Sequence, residues 1–115
     1  MSDDKFVVNN FKGLQVSCSE EQWKEHVVST HSIMKNNVEA VKDTIIDPDS
    51  VYKTNKPIDR EVYFKLSALA TYSTKFYTKV VVEYKNDCGE LVTAFPSRSE
   101  TGGIGDVVYK RESKD

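Results

Sequence analysis

Apolar residues recur at helical spacing along the first half of the chain and in alternation along the second. The change falls near Pro48. Trp23, Val27 and Thr30 or His31 stand at near-helical spacing, with Met34 close to the same stripe, which puts them on one side of a helix. Ser19 is a good N-cap residue, and Gln22 three positions later completes a capping-box pattern. Glu20 and Glu21 suit the positive end of the helix dipole. A first helix is therefore predicted over about residues 20–31. The stretch Lys35-Asn36-Asn37 interrupts the stripe, and Asn37 is placed to cap a second helix carrying Val38, Ala40, Val41 and Ile45. Pro48 ends it, because the residue before a proline is pushed out of helical geometry. This predicts a second helix over 38–46.

From there the period is two. Val62, Phe64 and Leu66 alternate with Tyr63 and Lys65. Phe76, Thr78, Val80, Val82 and Tyr84 fall on one side of a longer strand, and Tyr77, Lys79, Val81 and Glu83 on the other. Asn86–Gly89 reads as a turn, so residues 76–84 and 90–95 predict a hairpin. Pro96 is expected to close that strand. Residues 97–105 read as a flexible loop and 106–110 as a last short strand. Two short apolar segments, Phe6–Val8 and Leu14–Val16, predict a small ribbon or an extended lead-in. Helices followed by strands give an α+β expectation: two N-terminal helices packed on a curved antiparallel sheet of about four strands, with the other face of the sheet open.

Composition narrows the class. The 115 residues suit a single domain, 1–115, with 1–5 and 112–115 flexible. A formal charge of −2 disfavours wholesale attraction to nucleic acid. The charge is uneven, however: residues 1–50 carry 5 basic and 9 acidic groups, and residues 51–115 carry 11 and 9. Cys18 and Cys88 lie far apart and read as free thiols of a cytoplasmic protein. Nothing resembles a signal peptide or a membrane span. The two histidines do not fall at zinc-site spacing, and Asp47–Ser50 lacks the remaining ligands of a calcium loop. Neither a metal nor a cofactor is expected.

Several side chains have chemistry to offer. His31, at the exit of the first helix, suits acid/base work near neutral pH. His26 lies five positions earlier on a different side of a straight helix. Arg60, between Asp59 and Glu61, suits either a phosphate clamp or a surface ion pair. Lys65 with Tyr63, and Lys79 with Tyr77, put cations beside aromatic rings, as suits a nucleic-acid strand. Thr93 offers a strand hydroxyl. Arg98 offers a cation in the loop, where backbone N–H groups can also hold an anion.

The segments "WKEHVVSTH", "TIIDPDSVY", the arginine leading into "REVYFKL", and "KVVVEY" followed by "GELVTAF" resemble, in that order, the phage-associated nuclease domains of the barnase, EndoU, colicin and RelE-like superfamily. The likeness covers roughly residues 20–96. It implies the α+β layer above and metal-independent endoribonuclease activity, with RNA and a protein inhibitor or immunity partner as the expected partners. It implies His31, and with it His26, at the mouth of a cleft, Arg60 as the basic group and Thr93 as the strand hydroxyl. Lys79, Lys65, Tyr63, Tyr77 and Arg98 become RNA contacts. His31 is followed by Ser32 and Ile33, where the group commonly has proline and glutamate. That departure keeps two alternatives in play: a non-catalytic protein-binding or immunity-like module, and an inactive RNA-binding relative.

Overall fold

The computed structural model describes residues 4–54, 59–66, 76–99 and 104–110. In chain order, strands β1 (Asp4–Asn9) and β2 (Gln15–Ser19) lead into helix α1 (Glu20–Gln22). That helix continues as a π-helical run, Trp23–Val28, followed by a 3₁₀ turn, Ser32–Asn36, and helix α2 (Val38–Ile46). Strands β3 (Ser50–Thr54), β4 (Arg60–Leu66), β5 (Tyr77–Lys85), β6 (Cys88–Ser97) and β7 (Ile104–Lys110) complete the fold.

The class is α+β, but the expected curved sheet of about four strands is not what forms. Seven strands make one open, mixed sheet in the order β1-β2-β6-β5-β4-β3-β7, neither curled nor closed. Three of the additions have clear physical origins. The β1 and β2 segments pair antiparallel as a ribbon, and Val16 and Ser17 then join β6 in parallel at Gly89 and Glu90. Asp4 and Lys5, expected to be loose, belong to this ribbon. The stretch after Pro48, read as a helix exit, extends at once into β3, which pairs with β4 on one side and β7 on the other.

One face of the sheet carries the core. Phe6, Val16, Cys18, Val51, Tyr63, Val80, Val82, Leu91 and Ala94 meet Trp23, Val27, Met34, Val41 and Ile45 there. Ser19 caps α1 as expected, accepting from the Gln22 backbone N–H at 3.0 Å. The Gln22 side chain does not return to the cap; its Nε2 donates to the Val92 carbonyl at 2.7 Å. That carbonyl is presented by a bulge. Val81 pairs with Thr93 and Val82 with Leu91, which leaves Val92 as the extra residue. Asn37 makes no side-chain cap to α2 and donates back to the Ile33 carbonyl instead, at 2.7 Å.

The hairpin is the expected one. Asn86 and Asp87 take φ of 54° and 65°, the left-handed pair of a type I′ turn that matches the twist of the strands. β6 runs through Pro96 to Ser97, with Thr78 opposite Pro96. The loop predicted over 97–105 is shorter than expected: Ile104 and Gly105 already belong to β7, and residues 100–103 lie outside the described residues. So does the predicted flexible end at 112–115.

A polar knot anchors the ribbon to the core side. Asn10 Nδ2 donates to Tyr63 Oη at 3.0 Å and to Tyr84 Oη at 2.9 Å, and the two phenols hydrogen-bond each other. Asn10 Oδ1 accepts from the backbone of Lys12 and Leu14, which shapes the turn around Gly13 at φ 84°. Burial, then the neighbouring Tyr84, pushes the Tyr63 phenol up, so it stays protonated.

Candidate functional site: the sheet face opposite the helices

Register decides which candidates share a surface. Strand side chains alternate between faces, so residues paired across neighbouring strands lie on the same face. On the face away from the core, Phe64, Lys79 and Phe95 form one row. The next row is Val62, Val81 and Thr93, and the one beyond it is Arg60, Glu83 and Glu90. On the other side of the Lys79 row lie Leu66, Tyr77 and Ser97.

The Lys79 row is the centre of an aromatic cluster. The Lys79 ammonium lies 5.8 Å from the Phe64 ring centre and 5.2 Å from that of Phe95, within cation–π range of both. Phe64 packs edge-on against Tyr52 and Tyr77, at 5.9 and 6.0 Å. Lys79 is only 7% exposed, and that burial lowers its pKa.

His31 joins the row from outside the sheet. Past Glu90, β6 has left its pairing with β2, and the π-helical run packs along this part of it. The His31 N–H donates to the Val27 carbonyl at 2.8 Å. Its imidazole stacks on Phe95, with ring centres 4.8 Å apart and planes inclined by 24°. The helix exit thus delivers the histidine to the second face around the edge of β6. The run that does so is π-helical, a form that often appears at functional positions.

Arg60 occupies the other end of this face. Its Nε donates to Glu83 Oε1 at 2.9 Å, and both side chains are partly exposed. The pair sits in a polar groove of about 540 Å³ lined also by Asp4, Gln15, Ser17 and Glu90. Arg60 pairs with Glu83 and Phe64 with Lys79, so the two rows lie four residues apart along the strands, roughly 13 Å at 3.3 Å per residue.

The candidate residues therefore divide. His31, Lys79, Thr93, Arg60 and Tyr77 share the second face. Tyr63 and Lys65, expected beside RNA, lie on the helix side. Tyr63 is fully buried in the Asn10 knot. Lys65 Nζ pairs with Asp43 Oδ2 at 2.8 Å and Asp47 Oδ2 at 3.3 Å. His26 is exposed on the π-helical run. Arg98 is exposed and lies 5.5 Å over the Phe76 ring.

Two features of this face were not singled out from sequence. Phe95 is the platform shared by His31 and Lys79, although its alternation with Thr93 already put both on one side of a strand. The acidic lining of the groove joins Glu83 and Glu90, partners across the β5–β6 hairpin, to Asp4 from the far N-terminal strand.

Among the described residues, no three of His, Cys, Asp and Glu are grouped to hold a metal ion, and no helix is long and apolar enough to cross a membrane. Compared with family models, with curated proteins and with solved structures, the chain matches none.

Proposed function

We propose that the sheet face opposite the helices is the working face of a metal-independent endoribonuclease that cleaves RNA through the 2′-hydroxyl. One observation carries this reading. His31, Lys79, Thr93 and Arg60 come from four separate segments and reach one face, with His31 and Lys79 both against the Phe95 ring. The order of sequence segments that resembles metal-free nucleases supports it independently.

In this reaction neutral His31 takes the 2′ proton. The 2′ oxygen bonds to phosphorus, the bond from phosphorus to the 5′ oxygen breaks, and a proton from water or from imidazolium reaches the departing oxygen. The products are a 2′,3′-cyclic phosphate and a 5′-hydroxyl. Thr93, one row from Phe95, orients a phosphate oxygen, and Tyr77 offers a ring to a base. Arg60, roughly 13 Å further along the strands, meets a flanking phosphate.

The test is incubation of mixed cellular RNA, tRNA included, with purified protein in EDTA, followed by end-group analysis. Cleavage leaving cyclic phosphate, reduced about 10²–10⁴-fold in a folded His31→Ala variant, is the expected result. No cleavage by folded protein overturns the reading.

A second reading has its own observation. Among the described residues, the groove around Arg60 carries Asp4, Glu83 and Glu90 against one cation, an excess that repels phosphate and suits a basic protein partner. It would make the chain a protein-binding or immunity-like module. Binding to a basic partner that weakens on Glu90→Gln, in a protein that cleaves no RNA, would establish it.

A further inference from the structure

We propose that Gln22 is a positioning residue for the reaction, holding the strand bulge at Val92 that turns Thr93 and Phe95 toward His31. This role rests on the ribonuclease reading above, which needs the contact between His31 and Phe95. The bulge decides which way β6 faces. Leu91, Thr93 and Phe95 are alternate residues, so in an unbroken strand all three would point the same way. They do not. Leu91 is 2% exposed in the core, whereas Thr93 pairs with Val81 and Phe95 with Lys79 on the second face. Ala94 is back in the core. The extra residue, Val92, reverses the faces. Without it, Leu91 would leave the core or Phe95 would enter it.

Gln22 grips the bulge from the helical side. Its Nε2 donates to the Val92 carbonyl at 2.7 Å, and its own backbone N–H donates to Ser19 Oγ at 3.0 Å. It stands immediately before the π-helical run, and His31 lies just past the end of that run. The helical segment and β6 are therefore joined at two points, Gln22 to Val92 at one end and His31 to Phe95 at the other. Packing of Trp23 and Val27 in the core sets how far the segment lies from the sheet, but apolar burial is non-directional. A hydrogen bond to one carbonyl sets where along β6 the segment sits. A slip at the Gln22 end is carried to the imidazole, and misplacement by about an ångström costs up to 10²-fold in rate.

The experiment compares the wild type with Gln22→Met, Gln22→Lys and Thr44→Ala, each checked for fold by circular dichroism and for stability in urea. Methionine keeps the unbranched shape of glutamine and loses the donor. Lysine brings a donor back within reach of the carbonyl. Thr44 is fully buried on α2, where its hydroxyl donates to the Ala40 carbonyl at 2.7 Å, so Thr44→Ala gives a destabilised protein with the Gln22 bond intact. NMR follows the His31 ring protons, whose ring-current shift reports the Phe95 ring, and single-substrate RNA cleavage gives kcat and KM. We expect Gln22→Met to lose most of that shift and to lower kcat about 10-fold, with KM within a few-fold. Gln22→Lys should recover both. Thr44→Ala should lose stability and keep both.

An unchanged His31 shift in Gln22→Met overturns the proposal whatever the cleavage rates, because the bulge then needs no such hold. Equal losses in Thr44→Ala overturn it as well, since general destabilisation would account for them. Failure of Gln22→Lys to recover the shift would mean that the donor is not what matters. If the wild type cleaves RNA and Gln22→Met loses the shift but keeps its kcat, the positioning role is wrong and the ribonuclease reading survives. If the wild type cleaves nothing, the ribonuclease reading falls, and the role of Gln22 in the reaction falls with it. The NMR comparison then shows only whether Gln22 sets the contact between His31 and Phe95.

Discussion

The imidazole of His31 stacks on the ring of Phe95, centres 4.8 Å apart and planes 24° from parallel. The contact joins a helix exit to a strand with sixty-odd residues between them, and it is what brings the histidine to the second face. Replacing Phe95 with leucine keeps an apolar side chain and removes the flat surface. Misplacing a reacting group by about an ångström costs up to 10²-fold, so Phe95→Leu should lower kcat roughly 10–100-fold. The ring-current shift of the His31 protons should disappear in the same variant. Retention of that shift would mean the stack does not hold the ring in solution.

Gly89 sits where β2, β5 and β6 come closest. A Cβ built there would lie 2.8 Å from Val82 Cγ1, 3.0 Å from Tyr84 Cε1 and 3.1 Å from Val16 Cγ2. All three are packed in or against the core, so none yields freely. Gly89→Ala should destabilise the fold by about 1–3 kcal/mol through overpacking, measured by urea denaturation. The loss should be concentrated in the β2–β6 contact, and hydrogen exchange in the ribbon should quicken.

Lys65 is tied to α2 through Asp43 and Asp47. Burial pulls its pKa down, but the hydrogen bonds it donates to both carboxylates outweigh that and leave it raised. A raised folded-state pKa gives stability that is whole below the unfolded lysine value and fades as pH climbs through the folded value. Both aspartates are half exposed, so solvent screens the pairs and the effect is modest, about 0.5–1 kcal/mol. Stability of the wild type relative to Lys65→Met should therefore be flat across neutral pH, shrink at strongly alkaline pH, and shrink also in 1 M salt.

The two thiols should separate chemically. Burial, then the charges of Glu20 and Asp4, pushes the Cys18 thiol up to about 12, so little thiolate exists at pH 8. Cys88 is exposed at the start of β6. A thiol-reactive dye should modify one cysteine per native chain quickly and both in denaturant. Fast modification of both in the native protein would mean that the ribbon opens readily.

How much of this could be read beforehand depends on where each signal lies. The second helix is found at 38–46, and the 77–97 hairpin closes at the expected turn, because both are written in consecutive residues. The faces of β5 were legible too, which put Lys79 and Tyr77 together. Lys65 and Tyr63, expected beside RNA, face the helices instead, because a strand pattern separates two sets of residues without saying which set meets the helices. Register against Thr78 and Val80 decides that, and register is a property of two strands. β3 was hidden behind a proline turn, and its burial comes from β4 and β7 on either side. The Asn10 knot, and the approach of Asp4 to the hairpin pair Glu83 and Glu90, join segments far apart in sequence, so neither leaves a trace in any short window. The π-helical winding of Trp23–Val28 is not distinguished from an ordinary helix by the apolar stripe alone.

The parallel contact between Val16 and Gly89 has a kinetic meaning. Strands β4, β5 and β6 follow one another and pair with their neighbours, so each needs only a modest loop closed before contacts reward it. The β1–β2 ribbon comes first from the N-terminal side and has to wait for β6, the sixth strand, before it can dock. Closing that span costs chain entropy, and the two register pairs, the Asn10 bonds to Tyr63 and Tyr84 and the burial of Phe6, Val16 and Cys18 repay it only once the later strands are in place. Ribbon docking is thus expected to be the late step of refolding. Until it happens, the flank of β6 stands bare, and a ribbon from a neighbouring chain fits it as well as the chain's own.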